Sequence, residues 1–164
     1  MEDSSDCFVN AGDSSIIGPM LDTLLAYLHL FAILGLAGAL IIENMAIKAV
    51  ISGEDAQNLA KVNTVYGLTA LVTLLCGMTL WLWLGKPAAF YSSNPLFQLK
   101  LGLFVVIVLL SIYPTMFFTK HRKSDATSIS VPKIVTVSLK LELGLLIILP
   151  ILASLMAKGV GLSN

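Results

Sequence analysis

Charged residues are scarce in this sequence: 12% of its 164 positions are Asp, Glu, Lys or Arg, and 57% are hydrophobic. A soluble domain carries about 25% charged residues, so this composition excludes an ordinary soluble protein. Four apolar segments match or exceed the ~20 residues that cross a bilayer as a helix, and they lie at about 21–48, 62–84, 96–119 and 134–157. Because their connections are short, the sequence predicts one all-α integral membrane domain over 21–161, folded as a four-helix antiparallel bundle.

The sequence lacks the cysteine pattern of a disulfide or metal site and the basic start of a signal peptide. The two cysteines, Cys7 and Cys76, lie too far apart in predicted depth to form a bridge, and no metal-binding spacing is present. The first 20 residues contain no Lys or Arg and no apolar core, unlike a signal peptide. We expect residues 1–20 to form an acidic, disordered tail, with Met20 as an alternative start.

Basic residues cluster beside the first and third connections of the predicted bundle. They are Lys48, Lys61, Lys120, Arg122, Lys123 and Lys133. The positive-inside rule therefore places both connections in the cytoplasm and both termini on the periplasmic side of a bacterial inner membrane. The expected partner is the lipid bilayer, and no nucleic-acid partner is expected. Helix faces rich in Gly and Ala would also allow a homo-oligomer.

A few polar residues lie inside the predicted spans, where an unpaired charge is costly. Lys100 lies about a turn and a half into the third span, where it either snorkels to the headgroups or points inward. Glu142 lies about two turns inside the fourth span, where a carboxylate is either protonated or paired with another helix or a ligand. Further candidates for the bundle interior are His29, Glu43, Tyr66, Thr73 and Ser111.

The motifs FYSSN, FQLK, SIYPT and LMAKG, in this order, resemble a bacterial family of four-span inner-membrane proteins of unknown function, over nearly all of 21–161. That family usually has an acidic residue before the Tyr-Gly pair of its second helix, where this chain has Asn63. The runs LHLFAILGLAGAL and FQLKLGLFVV also resemble HemJ-type protoporphyrinogen oxidases and CopD-like membrane domains. The HemJ-type likeness implies a b-type haem with His29 as its axial ligand and Lys100 beside a propionate or the iron.

Three functions stay open at this point, and the sequence does not decide whether the protein is an enzyme. The first is a haem-binding redox or haem-pathway protein that uses His29 and Lys100. The second is a small carrier or proton-coupled channel that uses Glu142 and Lys100. The third is a structural or accessory membrane subunit whose buried charges pair with each other and carry out no chemistry.

Overall fold

The computed structural model describes residues 6–84, 92 and 94–158, with side chains for 17–83, 92, 94–156 and 158. The helices in these residues are α1 (Asp6–Ala46), α2 (Gly53–Thr79), α3 (Pro95–Lys120) and α4 (Lys133–Ala157). The strands are β1 (Val50–Ile51) and β2 (Ile129–Ser130), and a π-helical turn, Leu80–Leu84, continues α2. Each helix contains a segment long and apolar enough to cross a membrane, which confirms the predicted all-α membrane bundle.

Helices that are neighbours in the chain are also neighbours in the bundle. α1 packs most extensively on α2, and α3 on α4, so the fold consists of hairpin 1 (α1 and α2) and hairpin 2 (α3 and α4). α1 also packs on α4, and α2 on α3, which closes the four helices into a ring. Large side chains such as Phe31, Leu109 and Ile147 stay exposed on the outside, as expected where lipid is the solvent.

The second helix begins nine residues before the position that the sequence predicts. Ser52 and Asp55 form a capping box: Asp55 N donates to Ser52 Oγ at 3.1 Å, and Ser52 N donates to Asp55 Oδ2 at 3.3 Å. These bonds satisfy amide groups that a helix start leaves unpaired, so α2 starts at Gly53 rather than at residue 62. The polar segment 53–61, which we expected to be a connection, is therefore helical.

The first helix also extends beyond the predicted span. α1 begins at Asp6 and continues through Pro19, and the hydroxyl of Thr23 donates to the Pro19 carbonyl at 2.8 Å. Residues 1–5 lie outside the described residues. The disordered tail and the alternative start at Met20 stay predictions.

A two-residue strand pair, which the sequence did not predict, joins the first and third connections. β1 and β2 are antiparallel, with Val50 opposite Ser130 and Ile51 opposite Ile129. Gly53 N donates to the Ala126 carbonyl at 2.9 Å, and a Cβ at Gly53 would collide with backbone carbonyl oxygens of this connection. Only glycine allows this approach. We call this end of the bundle the strand end, and the end with Leu80–Leu84 the π-helix end.

Apolar side chains fill the bundle interior as one connected cluster. At the strand end it contains Ala56, Leu59 and Phe118 with residues of both strands, and farther along the bundle it contains Leu36, Ile107, Leu146 and Leu149. Polar groups are buried beside this cluster, both in the half near the strand end and toward the π-helix end.

Candidate functional site

Two glutamate side chains are buried in the half of the bundle nearer to the strand end. Glu43 of α1 is 0% exposed and Glu142 of α4 is 1% exposed. The amide of Asn63 donates to Glu43 Oε1 at 3.1 Å, and the hydroxyl of Tyr66 donates to Glu142 Oε2 at 2.9 Å. We call Glu43, Asn63, Tyr66 and Glu142 the two-carboxyl site.

Helical spacing explains how these four residues meet. Asn63 and Tyr66 are three residues apart on α2, so both donors leave the same face of that helix. Glu43 follows Leu36 and Leu40 on the buried face of α1, and Glu142 follows Val135 and Leu139 on the buried face of α4. Apolar residues at helical spacing thus turn both carboxyl groups toward the donors of α2.

Each carboxyl group of this site keeps one oxygen without a hydrogen-bond partner among the described residues: Glu43 Oε2 and Glu142 Oε1. The two groups are close enough to interact electrostatically, and no described Lys or Arg acts on either of them. Buried carboxyl groups need a proton or a positive charge to offset the loss of water. The site therefore offers two acceptor oxygens that a proton or a bound cation would satisfy.

Neighbouring polar groups hold the helices together around the two-carboxyl site. Asn44 donates to the carbonyl of Leu40 at 2.9 Å and to that of Leu139, on α4, at 3.0 Å. Ser111 of α3 is half-buried beside the Tyr66 hydroxyl, and its own hydroxyl donates to the Val108 carbonyl at 2.8 Å. All four helices thus contribute to this region.

A second polar region lies toward the π-helix end, around Gly77 of α2. Gly77 is 11 residues after Tyr66, so it lies ~16 Å from Tyr66 along the helix at a rise of ~1.5 Å per residue. The imidazole of His29 packs on α2, where its Cε1 lies 3.1 Å from a Cβ built at Gly77, and it interacts with the Thr73 backbone. Lys100 is near enough to interact electrostatically with His29. We call His29, Thr73, Trp81 and Lys100 the Lys100 site.

The packing of His29 on α2 opposes ligation of a haem iron through Nδ1. Its Nδ1 is buried without a partner among the described residues, but this atom lies 3.6 Å from the Cβ position of Gly77. The α2 backbone at Gly77 thus lies close to the edge of the ring that an iron ligated through Nδ1 would need. A porphyrin could reach this nitrogen only if α1 and α2 separated. Haem binding stays a prediction.

The structure places the other candidates as follows. Thr73 is 7% exposed and belongs to the Lys100 site, whereas Tyr66, at 4%, belongs to the two-carboxyl site. Sequence reasoning missed Asn63 as a partner of Glu43, noting it only as a departure from a family pattern. Its spacing of three from Tyr66 was the available signal.

These features define a class: a four-helix integral membrane protein with polar groups buried inside the bundle. The chain belongs to the family described as predicted membrane protein (DUF2214), whose model matches residues 21–161. This match confirms the resemblance to an uncharacterised four-span family, and it names no activity. No curated protein and no solved structure matches the chain. The likeness to HemJ-type and CopD-like proteins stays a prediction.

Proposed function

We propose that the protein is a small proton-linked cation carrier, and that Glu43 and Glu142 hold the cation. The observation that carries this proposal is the pair of buried, electrostatically coupled carboxyl groups, each with one oxygen that has no partner among the described residues. Two carboxyl groups can hold protons or, after losing them, a cation. Exchange of one for the other would couple the movement of both across the membrane.

The position of the site between the two hairpins supports a carrier. Glu43 and Asn63 bond within hairpin 1, whereas the bond of Tyr66 to Glu142 crosses to hairpin 2. Separation of the hairpins would break the second bond and leave the first intact. Because β1 and β2 hold the strand end together, the hairpins would separate more widely at the π-helix end, and release at the other end would require the strand pair to open.

Proton flux in proteoliposomes tests this proposal. We would reconstitute the protein with a pH-sensitive dye inside and impose gradients of Na⁺, K⁺ and Mg²⁺ in turn. The proposal expects proton movement driven by at least one cation, loss of that movement in Glu142→Gln and Glu43→Gln, and retention in Glu54→Gln, which changes an exposed carboxyl group. Equal flux in wild type and Glu142→Gln, or no flux above empty liposomes with any cation, would contradict it.

The orientation follows from the charge distribution. We propose that the strand end faces the cytoplasm of a bacterial inner membrane, with both termini on the periplasmic side. Joining of the first and third connections by β1 and β2 supports this, because it brings their basic residues to one end. A reporter active only in the periplasm, fused after residue 164, should be active, and an inactive fusion that is still expressed would contradict this orientation.

Haem binding is the second candidate. The unpartnered Nδ1 of His29 and the nearby Lys100 favour it, and the packing of His29 on Gly77 opposes it. The visible absorption spectrum of detergent-purified protein from haem-replete cells tests it. A Soret band that His29→Ala removes would support a haem, and the absence of a band would exclude it.

A homo-oligomer is a further proposal. A Cβ built at Gly38, Gly67, Gly102 or Gly144 meets no atom within 4 Å, so these positions leave space for a close approach of a second copy. Light scattering coupled to size-exclusion chromatography gives the number of chains per particle.

A further inference from the structure

Lys100 is a half-buried cation that the proposed carrier mechanism does not use. Among the described residues, no carboxylate is close enough to act on its ammonium group. The sequence explains why: residues 56–124, which include most of α2 and all of α3, contain no Asp or Glu. A charge inside a membrane bundle needs a partner, and the described protein supplies none.

The hydroxyl of Thr73 is a second unpaired group in the same region. The hydroxyls of Thr64, Thr69 and Thr79, also on α2, each donate to the carbonyl four residues earlier, at 2.8–2.9 Å. Thr73 is 7% exposed, and its Oγ1 has no partner among the residues that the structure describes. A buried hydroxyl without a hydrogen bond is unusual, and here the backbone bond that its neighbours use is not made.

Trp81 contributes a third unpaired group. Its indole Nε1 is buried and has no partner within the described part of the chain. The residue lies in the π-helical turn Leu80–Leu84, a type of distortion that is frequent at functional sites.

Contacts place Trp81 beside the start of α3, which carries Lys100, and place His29 of α1 next to them on α2. Thr73 and Gly77 on α2 and Trp81 in the π-helical turn are spaced by four residues, and His29 contacts α2 at Gly77 and Thr73. The Trp81 ring packs on Phe97 with their centroids 5.0 Å apart. Phe97 is three residues before Lys100 on α3, so both side chains leave neighbouring parts of that helix surface.

A groove opens beside these residues at the π-helix end. Its volume is about 240 Å³, and it is lined by Trp81, Ser92, Phe97, Gln98 and Leu101. The amide of Gln98 donates to the Ser92 carbonyl at 2.9 Å, which ties the first turn of α3 to Ser92. A small molecule or a lipid headgroup in the groove would contact the Trp81 ring, and it would reach the buried Nε1 after a rotation of that ring.

We infer that Lys100 and Trp81 bind an anionic oxygen group, a carboxylate or a phosphate, which enters through this groove. An ammonium and an indole N–H can only donate hydrogen bonds, so a ligand that satisfies both must be an acceptor. Its negative charge offsets that of Lys100. This inference does not depend on the cation site, which lies in the other half of the bundle.

Tryptophan fluorescence tests the inference directly. The chain has two tryptophans, and Trp83 is 76% exposed, so Trp83→Phe leaves Trp81 as the sole reporter. In this background, in uncharged maltoside detergent, we would titrate sodium acetate and sodium phosphate, with sodium chloride keeping the ionic strength constant. We expect a saturable change in Trp81 emission. Lys100→Met should weaken binding by about tenfold or more, because it removes a charge-assisted hydrogen bond.

Matched variants separate binding from folding. Lys100→Arg should keep the response because it keeps the charge, and Lys140→Met should keep it because Lys140 is an exposed lysine of α4. Thr73→Val should also keep the response, because residue 73 lies about 12 Å along the helix from Trp81 and does not line the groove. A Lys100→Met response equal to that of the Trp83→Phe parent would overturn the inference.

A titration with added lipid identifies the source of the anionic group. Short-chain phosphatidylglycerol would be added to the same detergent, with equal phosphatidylcholine as the control. A Lys100-dependent response to phosphatidylglycerol alone assigns the site to an anionic lipid headgroup, and a response to acetate or phosphate assigns it to a small anion. No response of Trp81 to any of these probes would overturn the inference.

Discussion

Tyr66 and Glu142 are joined across the bundle: the phenol hydroxyl on α2 donates to the carboxyl oxygen on α4 at 2.9 Å. Both side chains are buried, at 4% and 1% exposure. The bond links hairpin 1 to hairpin 2 at the level of the two-carboxyl site. It is therefore both a stabilising contact and the contact that would break if the hairpins separated.

Removal of the Tyr66 hydroxyl should destabilise the protein. Tyr66→Phe leaves the ring in place but leaves both Glu142 oxygens without a donor, so we expect a loss of about 1–3 kcal/mol in the free energy of unfolding. Denaturant titration in detergent measures it. Tyr113→Phe, which changes a tyrosine that is 43% exposed, is the control and should be neutral. Equal stability of both variants would show that the cross-bundle bond contributes nothing.

An alanine at Gly53 should disrupt the strand end. Its Cβ would meet the backbone carbonyl oxygens of Ser124 and Ala126, which cannot move without shifting the third connection. We expect Gly53→Ala to lose about 1–3 kcal/mol of stability and to be cut faster by protease in that connection. At Gly144 of α4 a Cβ meets nothing within 4 Å, so Gly144→Ala should keep the wild-type digestion pattern. Unchanged digestion of Gly53→Ala would refute the close approach.

Gly77 and His29 should show energetic coupling. A Cβ at Gly77 would lie 3.1 Å from Cε1 of His29, so Gly77→Ala must displace the imidazole. We expect Gly77→Ala to be destabilising alone and much less so in the His29→Ala background, with a coupling energy of about 0.5–3 kcal/mol. A double-mutant cycle of unfolding free energies measures this coupling. Additive effects would place the histidine elsewhere.

Loss of the Lys100 charge should stabilise the ligand-free protein. A lysine at the centre of a bilayer costs about 2.5–3.5 kcal/mol, and Lys100 lies nearer to a helix end, so we expect a gain of about 1–2 kcal/mol for Lys100→Met. Thermal unfolding in maltoside measures this gain. If the site binds an anion, added phosphate should raise the melting temperature of the wild type and leave that of Lys100→Met unchanged. A lower melting temperature for ligand-free Lys100→Met would show that the ammonium has a partner.

The sequence predicted the bounds of α3 and α4 closely and the start of α2 poorly. The difference lies in how clearly the residues at each helix start mark a boundary. Asn94 caps the first turn of α3, accepting from Leu96 N at 2.9 Å, and the adjacent Pro95 marks the same boundary in the sequence. At α2 the capping box of Ser52 and Asp55 was hidden in a polar segment that also suits a connection. β1 and β2 could not be predicted, because two-residue strands depend on partners about 80 residues away.

The buried polar groups could be found from the sequence, but their pairing could not. Glu43 and Glu142 stand out because carboxyl groups are rare inside membrane spans. Whether Glu142 meets Tyr66, Lys100 or lipid depends on the rotation of each helix, which is set by packing against its neighbours. Asn63 does not stand out by its residue type in the way that the glutamates do, because an amide in a span costs less than a charge.

The strand pair holds one end of the bundle in place and leaves the other end freer to move. α3 has 26 residues and so measures about 39 Å at ~1.5 Å per residue. If the end of α3 at the strand pair is held fixed, each degree of tilt displaces its other end by about 0.7 Å. Bilayer thickness affects helix tilt. A change in thickness would therefore change the width of the groove beside Trp81 far more than the distance between the two connections that β1 and β2 join.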